Sequence, residues 1–193
     1  MKKKVLSFLT VAILAFCGWW LYLIYTNKEV INTTPNASIT PIRVEPPTPV
    51  TPADFPITEL VAETNEERTR LGLTPLTENP KLDASAQAKC SDMANRNYWS
   101  HEDPDGKHGW HYITENKYSY KKAAENLGHG FEDIDELMYG WMHSPSHKAN
   151  IIQPDLEEIG FGVCVAPKGY DGGIFSGTGA DVIIVQHFAT PYY

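Results

Sequence analysis

From Val5 to Tyr25 the chain runs for 21 residues without a charged side chain, and the segment Asn27 to Pro56 that follows carries seven prolines among many threonines. Neither stretch suits a globular core, so the fold has to be sought after about position 57. At a rise of about 1.5 Å per residue the uncharged run reaches roughly 31 Å, enough to cross a hydrocarbon layer. Its Trp19, Trp20, Tyr22 and Tyr25 are of the type that sits at a membrane interface. Lys2, Lys3 and Lys4 precede the run, which places the N-terminus in the cytoplasm and everything after residue 27 outside. Cleavage as a signal peptide, giving a secreted protein, and lipidation at Cys17 are the alternatives, the second opposed by the bulk of Phe16. Proline removes backbone donors and favours extended conformations, so the next segment reads as a spacer reaching up to about 90 Å. The expected organisation is a single-pass signal-anchor over 1–27, a Pro/Thr-rich disordered linker over 28–56 and a folded domain over 57–193.

The net charge of −8 is unevenly spread. Residues 1–56 hold five Lys/Arg and three Asp/Glu, which leaves 11 basic and 21 acidic residues in the domain, a net of −10. A domain of that balance, with no basic stripe, is unsuited to nucleic acid or to anionic head groups.

Apolar spacing predicts a helix over Ile57–Leu71 closed by Gly72, and a second opening at Pro80 and ending near Asn97, with Leu82, Ala86, Cys90, Met93 and Ala94 on one face. A short helix is expected around Ile113. Another starts at Asp133 or Asp135 as cap, carries Leu137, Met138 and Trp141 inward, and is ended or broken by Pro145; His147 then opens a further short turn or helix through Ile152. Ile159–Ala166 and Val182–Phe188 read as strands, the second a central one, joined by a glycine-rich hairpin loop over 169–179. Helices first and strands last give an α+β layered domain. Cys90 and Cys164 form either one disulfide or two buried thiols, and the sequence leaves both open.

The residues with chemistry lie in Tyr98-Trp-Ser-His101, Ala124-Glu125-Asn126-Leu127 and Trp141-Met-His-Ser-Pro-Ser-His147. Glu125 sits in an uncharged stretch where burial is expected, and a buried carboxylate needs a donor or a cation; His101 and His147 are the natural candidates. His108, His111, His129 and His187 receive no role. There is no HExxH, GxSxG or P-loop pattern.

The order of those three segments, followed by Ala149-Asn-Ile-Ile152 and Ile159-Gly-Phe-Gly-Val163, closely resembles the CAP superfamily in a bacterial-type form: the SCP-like domains of the cysteine-rich secretory, antigen 5 and PR-1 type. The resemblance covers 57–193 and implies a three-layer α-β-α sandwich with a short antiparallel sheet. It also implies a cavity where His101, His147 and Glu125 hold a divalent cation such as zinc, with Glu125 orienting a ring or polarising water, and with Asn126, Trp141 and Ser144 lining the cleft. Many eukaryotic members carry a second glutamate three residues after the tryptophan; here that position is Ser144. The leading expectation is a membrane-tethered binding module of the cell envelope, its ligand a metal, a lipid-like molecule, a wall component or a protein. A metal-dependent hydrolase with Glu125 as the catalytic candidate, and an apolar-ligand carrier with a groove along Tyr112, Ile113, Tyr118 and Tyr120, are the alternatives.

Overall fold

The structure, a computed structural model, describes residues 50–167, 169–170 and 180–193. The uncharged run, most of the spacer and all but Gly169 and Tyr170 of the expected hairpin loop lie outside the described residues. Among the described residues no helix is long and apolar enough to cross a membrane.

A 3-10 turn, Pro52–Asp54, leads into α1 (Ile57–Arg70), β1 (Thr77–Glu78), α2 (Pro80–Arg96), α3 (Gly109–Glu115), β2 (Tyr120–Gly130), α4 (Ile134–His143), α5 (Pro145–Ile151), β3 (Glu158–Val165) and β4 (Ala180–Pro191). The packed body takes in residues ahead of Ile57, because Phe55 is 1% exposed and lies in the core, with Val50 against it.

The helix ends follow local chemistry. Asn79 caps α2 by accepting from the Lys81 amide, with Pro80 in the first turn, and Asn97 closes it in the left-handed region at φ 53°. Asp133 caps α4 through the Glu136 amide. Pro145 does more than end α4: Ser144 is both the last cap of α4 and the first of α5, and Pro145 occupies the opening turn of α5, so His147 is already helical.

The sheet has the order β1-β3-β4-β2, with β1 parallel to β3 and the other pairs antiparallel. Alternation along β4 divides the core in two. Val182, Ile184 and Phe188 pack with Leu60 of α1, Leu137 and Trp141 of α4 and Ile151 of α5. Ile183 and Val185 pack with Ala86, Cys90 and Met93 of α2. Helices therefore cover both faces, and the fold is an α+β sandwich with a mixed four-stranded sheet. Burial of each large side chain, such as Leu60 or Phe161, contributes roughly 1.5–3 kcal/mol.

Beyond its two-residue pairing with β1, the outer edge of β3 is met by α2. A Cβ at Gly160 would lie 2.3 Å from the backbone at Leu82 and Asp83, and one at Gly162 2.3 Å from that at Ala86 and Gln87. Only glycine permits this approach. Asp83 Oδ1 accepts from the Phe161 amide at 2.9 Å and Gln87 Oε1 from the Val163 amide at 3.1 Å. Four helical residues advance about 6 Å and two strand residues about 6.6 Å, so the two contacts stay in step. One further helical turn brings Cys90 to Cys164, and the two are joined by a disulfide with their Cα atoms 6.1 Å apart.

On the other face, Arg68 of α1 is fully buried. Its guanidinium donates to the carbonyls of Thr74 (2.9 Å), Ile151 (2.8 Å), Gln153 (2.9 Å) and Leu156 (3.4 Å).

Two outcomes follow for stability. The disulfide closes a separation of 74 residues, for which chain entropy gives about 4.5 kcal/mol as an upper figure. The Cys90→Ala/Cys164→Ala variant is expected to lose about 2–4 kcal/mol in urea unfolding, and an unchanged midpoint would contradict this. Burial pushes Asp83 up to about 6, against the Phe161 amide that pulls it down. An acid raised in the folded state loses stability as pH climbs from its ordinary value near 3.8 through 6. Asp83→Asn keeps the acceptor without the charge, so it should be more stable than the parent above pH 6 and lose that margin near pH 4.

Candidate functional site

Two polar residues interrupt the apolar run of β4, and each finds its partner directly across on β2: Gln186 opposite Asn126 and His187 opposite Glu125. Because neighbours on a strand face opposite ways, the two pairs serve opposite layers.

Glu125 and His187 face α2. The His187 ring is fully buried, with Nε2 2.9 Å from Glu125 Oε2 and Nδ1 2.7 Å from the Ser85 hydroxyl. The other carboxylate oxygen, Oε1, is 2.6 Å from Nδ1 of His101, whose ring is 56% exposed. Burial pushes the Glu125 carboxyl up, but the hydrogen bonds from His101 and His187, with the charges of His187 and Lys89, outweigh it and hold the group at about 2. The carboxylate is also boxed in by backbone: a Cβ at Gly109 would fall 2.2 Å from Oε2. Below, the fully buried Lys89 donates to Tyr98 OH (3.1 Å) and to the His101 carbonyl (3.4 Å), its ammonium over the Tyr98 ring. Burial pushes that ammonium below its ordinary value, against the pull of Glu125, Asp92 and Asp103.

Asn126 and Gln186 face α1. Gln186 donates to Thr64 Oγ1 (3.0 Å), and Asn126 donates to Gln186 Oε1 (2.9 Å) and to the His147 carbonyl (3.2 Å). Asn150 of α5 donates to Asn126 Oδ1 (2.8 Å) and to the Glu125 carbonyl (3.1 Å). These bonds fix α5 against β2 and so place His147. Trp141 braces the same strand by donating from Nε1 to the Leu127 carbonyl at 3.0 Å, its ring 6.4 Å from that of His147.

The two arrangements meet at a cavity of about 480 Å³ lined by Trp99, Ser100, His101, Glu102, His108, Leu127, Ser146 and His147. Burial lowers His147 below its ordinary value, and the nearby His101 acts in the same direction, both favouring the neutral ring.

The structure thus brings His101 and His147 onto one cavity, with Glu125 behind His101. Asn126 and Trp141 are buried and hold the wall from behind, while Ser144 is buried at the helix junction with its hydroxyl 3.3 Å from that of Ser146. His187, read from sequence as having no role, is the second imidazole on Glu125, and His108 lines the cavity. Ser85 and Lys89, one helical turn apart on α2, were equally unmarked. The signal for His187 was a Gln-His pair inside an otherwise apolar strand, since buried polar groups require partners. Of the residues expected to line an apolar groove, Tyr112, Ile113 and Tyr118 are buried and Tyr120 is half-buried. Among the described residues no three His, Cys, Asp or Glu side chains are grouped to hold a metal ion.

This α+β sandwich is the fold of SCP domains. The family model of the cysteine-rich secretory protein family, CAP, matches residues 61–188, and the chain belongs to that family as a bacterial-type member. Among its relatives is the Bacillus subtilis protein YkwD, described as uncharacterized, 34% identical over 136 residues that make up 70% of this chain and 48% of YkwD. The B. subtilis membrane protein YlbC, also uncharacterized, is 26% identical over 52% of this chain and 29% of its own length. The chain therefore spans half or less of the curated relatives it matches. Two solved structures share the fold at 21% identity. One, with a TM-score of 0.59, is an extracellular SCP-domain protein of Bacillus anthracis, aligned over 75% of this chain and 45% of that one. The other, an outer surface protein of Borrelia burgdorferi, has a TM-score of 0.60 over 72% and 94%.

Glu125→Gln offers one acceptor oxygen to two donor imidazoles and should destabilise the domain by about 3 kcal/mol at pH 7. An acid lowered in the folded state contributes stability above its ordinary pKa, near 4.5, that is lost as pH falls towards 2. The gap between parent and variant in chemical denaturation should accordingly close over that window. A gap independent of pH would place the cost elsewhere.

Proposed function

We propose that this chain is an extracytoplasmic CAP-family binding module of the cell envelope, its ligand seated between His101 and His147. The observation that carries the reading is the pair of imidazoles on one open cavity, one of them oriented from behind by a buried carboxylate. In this reading the uncharged run over 5–25 anchors the chain with its N-terminus in the cytoplasm, and the Pro/Thr-rich spacer holds the domain away from the bilayer. The descriptions of relatives as a membrane protein, an extracellular protein and an outer surface protein support that placement.

A divalent cation such as zinc is the simplest ligand to consider, and the donor set decides how it would be held. Both oxygens of Glu125 already accept from imidazoles, so this residue orients His101 instead of ligating. The protein then supplies two ligands, His101 and His147, with water or a bound partner completing the shell. A zinc hydrolase fixes three protein ligands and leaves one position open, so this donor set favours a binding role over hydrolysis. The polar residues on the cavity wall, among them Ser100, Glu102 and Ser146 beside the histidines, likewise favour a polar ligand, such as a wall component or protein, over a lipid.

Calorimetric titration of the full chain with zinc is expected to show one site of modest affinity, abolished in His101→Ala/His147→Ala with folding retained. Absence of heat in the parent protein would overturn the cation as ligand, and unfolding of the double variant would make the two histidines structural. In Glu125→Gln, affinity should fall about 10- to 100-fold without being lost, because the residue acts on the orientation of His101.

A further inference from the structure

The buried side of Glu125 contains more than a desolvated carboxylate requires. His187 is fully enclosed, and behind it the Ser85 hydroxyl is 2.7 Å from His187 Nδ1 and 2.8 Å from the Leu82 carbonyl. A hydroxyl has a single proton to give. If Ser85 donates to His187, the ring's remaining proton is on Nε2. If Ser85 donates to Leu82 instead, His187 donates from Nδ1, and an Nε2 facing an ionised carboxylate then requires the doubly protonated ring. Both arrangements leave an Nε2–H pointing at Glu125 Oε2, 2.9 Å away.

An ionised carboxylate only accepts, so the donor at Oε1 is the Nδ1–H of His101, at 2.6 Å. In the neutral ring that leaves Nε2 of His101 bearing a lone pair, on the exposed side of the residue, which lines the cavity. The Gly109 backbone lies against the carboxylate, so close that a Cβ there would fall 2.2 Å from Oε2.

We infer that His187 is a positioning residue of the cavity: with Ser85 behind it, it holds Glu125 so that His101 is kept as its Nδ1–H tautomer and presents Nε2 outward as an electron-pair donor. The inference rests on His101 being the cavity's ligand-facing group. It assigns to α2 and β4, which do not reach the cavity, control over the chemistry its surface offers. His187 acts only through Glu125 and would touch no ligand itself.

Two polar replacements separate this role from simple packing. In His187→Gln the side-chain amide nitrogen would stand near the position of the imidazole Nε2 and still donate to Glu125. In His187→Asn the shorter side chain stops near the Nδ1 position, keeps Ser85 as a partner and leaves Glu125 without its inner donor. The measurement is long-range nitrogen–proton correlation NMR on the full chain in detergent micelles, labelled at histidine nitrogens, at pH 8. His101→Gln identifies the His101 signals by their loss. The expected result is a single Nδ1–H tautomer for His101 and an Nε2-protonated His187 in the parent. The His101 tautomer should be retained in His187→Gln and replaced by a mixture in His187→Asn. Zinc affinity should follow the same order, falling about 10-fold or more in the asparagine variant and recovering with glutamine.

A parent spectrum with His101 protonated on Nε2, or with a mixture already present, overturns the inference, and that result does not depend on any variant folding. A folded His187→Asn protein with unchanged His101 signals overturns it as well. If the tautomers behave as expected while no form of the protein takes up zinc, the positioning role stands and it is the cation reading that fails.

Discussion

Two missing side chains, at Gly160 and Gly162, set the position of nearly everything else. They let the α2 backbone come down onto β3, where Asp83 and Gln87 satisfy the strand's outward amides and Cys90 reaches Cys164. Once α2 is seated there, its inward residues are committed. Ser85 arrives beneath His187 and Lys89 beneath the His101 carbonyl, so the helix that seals the edge of the sheet also supports the candidate site from behind. A methyl group at either glycine would have to displace backbone on both elements, which packed interiors do not absorb gradually.

The site itself divides its labour between the two faces of one strand. Glu125 and Asn126 are consecutive on β2, yet one sets the direction of the His101 ring and the other anchors the helix that bears His147. Both are also bonded to cross-strand partners on β4, and the two networks end on helices of opposite layers, at Ser85 and at Thr64. The cavity histidines are thereby held from the two sides of the sheet at once. Each buried polar group in these rows has a partner, a condition under which such networks rigidify a core.

Much of this was legible in the sequence where local chemistry decides structure. Asn79-Pro80 and Asp133 mark helix starts, and the β-branched run Val182 to Val185 marks a central strand. The CAP resemblance placed His101, Glu125 and His147 together. What escaped was β2. Its residues, Tyr120-Lys-Lys-Ala-Ala-Glu-Asn-Leu-Gly-His-Gly130, include no Val, Ile or Thr and several good helix formers, so the strand exists because β4 offers it a partner and not by its own preference. With β2 invisible, its register was invisible too, and so was the pairing of Glu125 with His187. The same limit applies to Ser85 and Lys89, whose roles depend on where a helix docks. Pro145 was legible as the break after α4 and Ile152 as the far end of a further short turn or helix; the geometry at Ser144 adds that this second helix opens at Pro145 itself, two residues ahead of His147.

Arg68 holds the path of residues 151–156 by their carbonyl oxygens alone. A clamp that grips main chain is indifferent to which side chains the gripped segment carries. The exposed positions of the connection between α5 and β3, Pro154, Asp155 and Glu157, are therefore free to drift in sequence while its course stays fixed, whereas the core residue Leu156 and Arg68 have no such freedom, since no other side chain delivers a planar fan of donors to several oxygens at once. Among descendants of this domain, the exposed part of the loop should be variable in composition and constant in shape, with its course held by one guanidinium and one buried leucine.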